Sequence, residues 1–190
     1  MNIFQEDSGK TQIVAELSAN HSKDIDVVLK SIESASQIGV NSIKTQMYTA
    51  SSLGIPSRQK SPRITDQNSP WCGKSLYDLY DESSMPYEWY PRIIEYAKSL
   101  NIRLFASVFD FESVDLAVNY NFPFLKIASF EIIHLPLLRY VASKGIPTII
   151  STGMASLSEV QNAAEIFAGS STPLCLLQCT SNYPSSLDET

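Results

Sequence analysis

The sequence predicts an α/β fold: a parallel barrel of the TIM (β/α)8 type, with about six βα units present and the closing strands missing. Two observations predict it. Short β-rich runs alternate with amphipathic helical stretches along the whole chain, the pattern of βα units. Six strand candidates also carry polar or ionisable groups at or just beyond their C-terminal ends, and in such a barrel those ends converge on one pocket. A doubly wound open sheet accommodates six strands as well. Its Gly-x-Gly-x-x-Gly nucleotide loop has no counterpart in this sequence.

The first strand, Ile13-Val-Ala-Glu-Leu17, brings Glu16 to its end. A helix is expected over about 24–38, because Val27, Val28, Ile32 and Ala35 share one face, and Gly39 stops it. The second strand, Asn41 to Gln46, carries Lys44 and Gln46. A Ser- and Pro-rich stretch then reads as irregular to about Pro86, a length more typical of functional lids than of linkers. Its aromatic part, including Trp71, Tyr77, Tyr80, Tyr87 and Trp89, is explained equally by packing or by a sugar-binding lid.

A helix at about 87–100 precedes the third strand, Arg103 to Val108, which places Ser107 near its end. Asp110 is a candidate N-cap for the next helix, with acidic residues in the first turn. The fourth strand, Phe124 to Ala128, is followed by a helix from Leu135 to Ser143 that Lys144-Gly145 ends. Thr148 to Ser151 forms the fifth strand, and Ser156-Leu-Ser-Glu159 is a capping box for another helix. Leu174 to Gln178 forms the sixth.

A chain of 190 residues suffices for one domain with a substantial core, and 44% apolar content argues against disorder. The net charge of −6 recommends neither nucleic acid nor an anionic membrane as partner. The N-terminal residues lack the basic and apolar regions of a signal peptide, and no apolar run approaches a membrane span. Three cysteines fit reduced thiols in the cytoplasm. Cys175 and Cys179 lie on one strand about 13 Å apart, too far for a disulfide. Cys72 stands alone in a loop, and no Cys-x-x-Cys pair suggests zinc.

Lys126, in Phe124-Leu-Lys-Ile-Ala-Ser-Phe-Glu131, is the most informative residue. A lysine inside an apolar strand is costly to bury without a partner, which points either to a structural pair with Glu131 or Glu16 or to a bound anion. Ionisable groups in a cleft favour the functional reading. His21 and His134 follow the first and fourth strands, so a shared metal ion would need bonds of about 2.1 Å from nearly opposite sides of a barrel. His21 is read instead as a hydrogen-bonding residue of the first loop, and His134 as a helix-start or surface residue.

Ala15-Glu-Leu-Ser-Ala-Asn-His21, Leu125-Lys-Ile-Ala-Ser-Phe-Glu131, Ser151-Thr-Gly-Met154 and Gln178-Cys-Thr-Ser-Asn-Tyr-Pro184 together resemble the sialic acid synthase family, over essentially the whole chain. The resemblance implies condensation of phosphoenolpyruvate with an acetamido-deoxy aldose to give a nine-carbon 2-keto acid and phosphate. It implies a homodimer and a divalent metal, manganese or magnesium, in the complete enzyme. Two metal-binding histidines would come from later in the barrel, beyond Thr190, and a small antifreeze-like domain would follow it. Residues 1–190 are then a partial barrel without its metal ligands, expected to be inactive alone.

By motif position, Lys44, Lys126, Ser107, Ser129 and Ser151 match the family's contacts to phosphoenolpyruvate. That ligand's dense negative charge calls for cations and hydroxyl donors. Gln46, Asn182 and Tyr183 match substrate contacts. Glu16 is the candidate for general acid/base work, and Glu131 a sugar-binding or second carboxylate beside the catalytic Lys126. Two positions depart from the family pattern. Ser181 stands where sialic acid synthases often carry Asn, and Val108 where proline is usual.

Overall fold

Val14–Glu16 forms the first strand, β1, and runs parallel to β2 (Ser42–Met47), with Glu16 directly opposite Lys44. This computed structural model describes residues 11–182 together with Ser185, Ser186 and Asp188. Its contacts divide the chain into two compact units, one of residues Ile13–Leu104 and one built on the residues from Phe105 onward.

In the first unit, α1 (Ile25–Gln37) occupies nearly the span its apolar period predicts. Asp24 caps it by accepting from the Asp26 amide, and Val28, Ile32 and Ala35 are its buried face. Gly39, at φ +79°, turns the chain off the helix in a conformation that only glycine adopts cheaply. The stretch from 47 to 86 departs from the irregular course expected. It contains α2 (Ala50–Leu53) and α3 (Leu76–Ser83). Composition hid α3 because its supports are local caps and distant charges. Ser75 Oγ accepts from the Asp78 amide at 3.1 Å, and Arg58 pairs with Asp78 at 2.8 Å and Asp81 at 3.0 Å.

The C-terminal end of α3 is fastened from several sides. His21 Nε2 lies 3.0 Å from the Ser83 carbonyl, Tyr48 donates its hydroxyl to Ser83 Oγ at 3.0 Å, and Lys23 bonds the Ser84 carbonyl. The single helix expected at 87–100 is a 3-10 turn, Tyr87–Trp89, followed by α4 (Tyr90–Ser99), whose Pro91 sits in the first turn where a missing N–H costs nothing. Tyr90 is fully buried, and its hydroxyl donates to Thr45 Oγ1 at 3.1 Å.

In the second unit every strand pairing is parallel. β3 (Arg103–Val108) pairs with β4 (Leu125–Ile127), β4 with β5 (Thr148–Ser151), and β5 with β6 (Leu174–Leu177). The helices α5 (Phe111–Asn119), α6 (Leu135–Ser143) and α7 (Leu157–Ser170) alternate with the strands. Their starts obey the sequence signals. Asp110 accepts from the Ser113 amide at 2.6 Å, and Ser156 and Glu159 form the expected capping box. Phe105, Leu125, Ile127, Leu137, Leu138, Ile150 and Phe167 form the core, each burial contributing about 1.5–3 kcal/mol.

The fourth strand is shorter than the expected Phe124 to Ala128, because Ser129–Ile133 winds into a 3-10 turn. That turn matters for the site, since it carries Ser129 and Glu131. The three cysteines are free thiols. Among the described residues no helix is long and apolar enough to cross a membrane.

Candidate functional site

Each unit gathers chemistry at the C-terminal ends of its strands. In the first unit, the parallel register sets Glu16 opposite Lys44, and the two side chains form an ion pair. Lys44 is largely covered and Glu16 more open, at 16% and 42% side-chain exposure. Gln46 lies two residues further along β2 and so projects from the same face as Lys44. Glu16 also accepts from the Ser18 amide at 2.9 Å, which fixes one carboxylate oxygen. Beside the pair, an apolar groove of about 540 Å³ between β1 and α1, lined by Leu17, Val27, Ala35 and Ile43, reaches Glu16.

His21 is buried in the same unit. Its Nδ1 accepts from the Lys23 amide at 3.2 Å, which leaves Nε2–H to donate to the Ser83 carbonyl. Burial pushes its pKa below the ordinary histidine value and the Lys23 charge adds to this, against the Ser83 bond. The residue shapes the first loop, as the sequence suggests.

The second unit holds the tighter cluster. Lys126 is only 7% exposed, and its ammonium donates to Ser151 Oγ at 2.5 Å and to the Ile127 carbonyl at 2.6 Å. Ser107 stands opposite Lys126 in the β3–β4 register and is itself buried. Ser129 enters from the 3-10 turn after β4, and Ser181 approaches from beyond β6. A lysine and several hydroxyls thus stand together near the strand ends, a donor set chemically suited to an anion rich in oxygen.

Glu131 adds a different function. Burial lifts its carboxyl above the ordinary glutamate range, outweighing its own backbone hydrogen bond and the attraction of Lys126 and His134. Its Oε2 is buried with no hydrogen-bond partner among the described residues. Such a carboxyl holds its proton more readily than an ordinary glutamate, and its Oε2 is open to a hydrogen bond from a ligand. His134 takes the helix-start role expected of it, its Nδ1 accepting from the Leu137 amide at 3.0 Å.

The sequence-derived residues therefore fall into two groups: Glu16, Lys44 and Gln46 in one unit, and Ser107, Lys126, Ser129, Glu131 and Ser151 in the other. Asn182 is exposed after β6, and its carbonyl accepts from Ser185 Oγ at 2.9 Å. Tyr183 lies outside the described residues. Among the described residues no three His, Cys, Asp or Glu side chains are placed to hold a metal ion. The side chains present do not by themselves fit a divalent metal. Sequence reasoning missed one residue of the cluster, Gly153. It lies within the Ser-Thr-Gly-Met motif, but its neighbours come from β4 and β6 and no spacing announces them.

The model of the NeuB family matches residues 31–190 of the chain. A pseudaminic acid synthase of Helicobacter pylori is 36% identical over 179 residues, covering 94% of this chain and 52% of that protein. A pseudaminic acid synthase of Campylobacter jejuni is 38% identical over 181 residues, covering 95% of this chain and 52% of that protein. The chain thus spans about half the length of these relatives. Among solved structures, an N-acetylneuraminic acid synthetase from Leptospira borgpetersenii superposes with a TM-score of 0.78 at 28% identity, over 93% of this chain and 56% of that one.

Proposed function

The chain belongs to the NeuB family, and from that premise we propose that it is part of a pseudaminic acid synthase. The reaction is condensation of phosphoenolpyruvate with 2,4-diacetamido-2,4,6-trideoxy-L-altrose and water, giving pseudaminic acid and phosphate. The segments Ala15–His21, Trp71–Tyr80 and Ile127–Ile132 carry the likeness to this branch rather than to the N-acetylneuraminate or legionaminate synthases. In this reading residues 1–190 supply about six βα units of an eight-stranded barrel. The closing strands, the ligands for a manganese or magnesium ion, and a small antifreeze-like domain belong to the complete enzyme, a cytoplasmic homodimer.

One observation carries the chemistry: Lys126, held at 2.5 Å from Ser151 Oγ, in the same strand-end cluster as Glu131, whose buried Oε2 has no hydrogen-bond partner among the described residues. Lys126 and the hydroxyls of Ser107, Ser129 and Ser151 hold the phosphate and carboxylate of phosphoenolpyruvate. C3 of phosphoenolpyruvate forms the new bond to the sugar aldehyde carbon, and the aldehyde oxygen takes a proton. Glu131, its carboxyl raised above the ordinary range by burial and its Oε2 unpaired among the described residues, is suited to give that proton or to bind the sugar oxygen. Water then adds to C2 and gives up one proton; the C2–O bond to phosphate breaks, and the remaining C2 hydroxyl proton passes to the departing phosphate, leaving the keto acid. Glu16, paired with Lys44, is the group assigned to accept a proton. Lys44, Gln46, Asn182 and Tyr183 complete the substrate contacts.

Phosphate release by the full-length protein tests the reading. Release is expected from phosphoenolpyruvate with the trideoxy altrose sugar and not with N-acetylmannosamine. A reversed preference would refute the assignment of the sugar.

A further inference from the structure

The turn after β5 places its one glycine where the backbone does not need it. Thr152 O accepts from the Ala155 amide at 3.2 Å, closing a turn over Gly153 and Met154. The left-handed position, at φ +65°, is Met154, whereas Gly153 stays out of that region. Glycine is ordinarily recruited to the left-handed position of such a turn. Conformation therefore does not explain Gly153.

Space does. A Cβ on Gly153 would overlap Ser181 Oγ outright, and would lie 3.1 Å from Ser129 Oγ and 3.3 Å from the Cys179 carbonyl. Three strand ends meet at this point. Ser129 comes from the turn after β4, Gly153 from the turn after β5, and Ser181 from beyond β6. Two residues before the glycine, Ser151 receives the Lys126 ammonium.

We propose that Gly153 is a positioning residue: its missing side chain is the gap into which the hydroxyls of Ser129 and Ser181 converge to complete the oxyanion cradle of Lys126 and Ser151. The inference rests on the reading that this cradle binds phosphoenolpyruvate. It also gives the serine at 181 a role. A short side chain there brings its hydroxyl down onto the backbone of the β5 turn, beside Ser129, and it can do so only over a glycine. Gly153→Ala separates the two hydroxyls while leaving Lys126 and Ser151 in place.

The experiment uses the full-length protein, with phosphoenolpyruvate and the trideoxy altrose sugar as substrates, and reads KM for each together with the thermal shift induced by phosphoenolpyruvate alone. Gly153→Ala is expected to raise KM for phosphoenolpyruvate about 10-fold or more, with KM for the sugar unchanged and the thermal shift reduced. In Gly153→Ala/Ser181→Gly the overlapping hydroxyl is gone. The melting temperature should return towards wild type while KM for phosphoenolpyruvate stays high. Full recovery of that KM in the double variant would overturn the proposal, because the Ser181 hydroxyl would then be dispensable. So would a Gly153→Ala protein that melts lower yet keeps the wild-type KM and thermal shift, which is the signature of packing alone.

If Gly153→Ala does not fold, Ser181→Ala and Ser129→Ala decide, since neither adds volume. Each should raise KM for phosphoenolpyruvate severalfold, and an unchanged KM in both overturns the inference. A wild-type protein that neither releases phosphate nor shifts with phosphoenolpyruvate refutes the synthase reading itself. An active wild type with an indifferent Gly153→Ala refutes only the role of the glycine.

Discussion

The two strand lysines, Lys44 and Lys126, are both largely covered but meet different partners. Lys44, midway along β2, meets the carboxylate of Glu16 across a parallel register, and the pair is partly open to water. Lys126, at the end of β4, is buried and donates to a hydroxyl and a carbonyl, groups that carry no formal charge. Its neighbouring carboxyl, Glu131, is itself held towards the neutral form by burial. One region sets its lysine against a carboxylate, while the other sets its lysine among hydroxyl and carbonyl oxygens beside a carboxyl shifted towards its neutral form. A lysine's capacity to bind an anion depends on how its charge is already spent, and not on its place at a strand end alone.

Substitution of the two lysines is the strongest way to break this comparison. Lys126→Met in the full-length protein is expected to lower kcat/KM for phosphoenolpyruvate by about 1,000-fold or more, as removal of a preorganised charge does. Lys44→Met, whose charge Glu16 already offsets, should cost about 10- to 100-fold. Steady-state kinetics decide it, and equal losses would erase the distinction between the regions.

The two pH responses sharpen it, because they have opposite signs. Glu131 has a folded pKa raised by burial, so its contribution to stability is complete below the unfolded value of 4.5 and is lost as pH rises through the folded pKa. Glu131→Gln, which resembles the protonated form, should lose that dependence, and the difference between the two melting curves should grow from pH 4 upward. His21 behaves in reverse. Its folded pKa is lowered, so its contribution is complete above the unfolded value of 6.5 and declines as pH falls below it, levelling out beneath the folded pKa. At pH 8, His21→Ala should cost about 1–3 kcal/mol in denaturant unfolding, because the half-buried Ser83 carbonyl loses the donor of buried His21. That penalty should shrink at pH 5.

The smallest effect belongs to the surface. Lys74 and Glu82 pair at 2.5 Å with Glu82 well exposed. Lys74→Ala should change unfolding free energy by no more than about 1 kcal/mol, and less in 0.5 M salt.

These contrasts were only partly legible in the sequence. Local signals transferred well: Asp110 and the Ser156/Glu159 box start helices where their spacing says they should, and the alternation of elements gave parallel strands. Lys126 was legible because a lysine inside an apolar run is costly. The pairing of Glu16 with Lys44 was not, because it depends on the register of two strands 28 residues apart. Helix α3 was hidden for the same reason, since Arg58 and Ser75 support it from outside its own apolar pattern. The state of Glu131 depends on a 3-10 turn where a longer strand was expected.

The fastening of Ser83 and Ser84 by His21, Tyr48 and Lys23 bears on how this protein can change over generations. Between Gly54 and Gly73 most side chains face water, while Ser75 and Met85 are buried at the return. The return is tied to that stretch as well: Arg58 pairs with Asp78 and Asp81, the Tyr77 amide donates to Ser61 Oγ at 2.9 Å, and the Leu76 amide to the Pro62 carbonyl at 2.9 Å. A change of length is therefore cheapest between Asp66 and Gly73, among mostly exposed side chains, where it spares Arg58, Ser61 and Pro62 and with them the footing of α3.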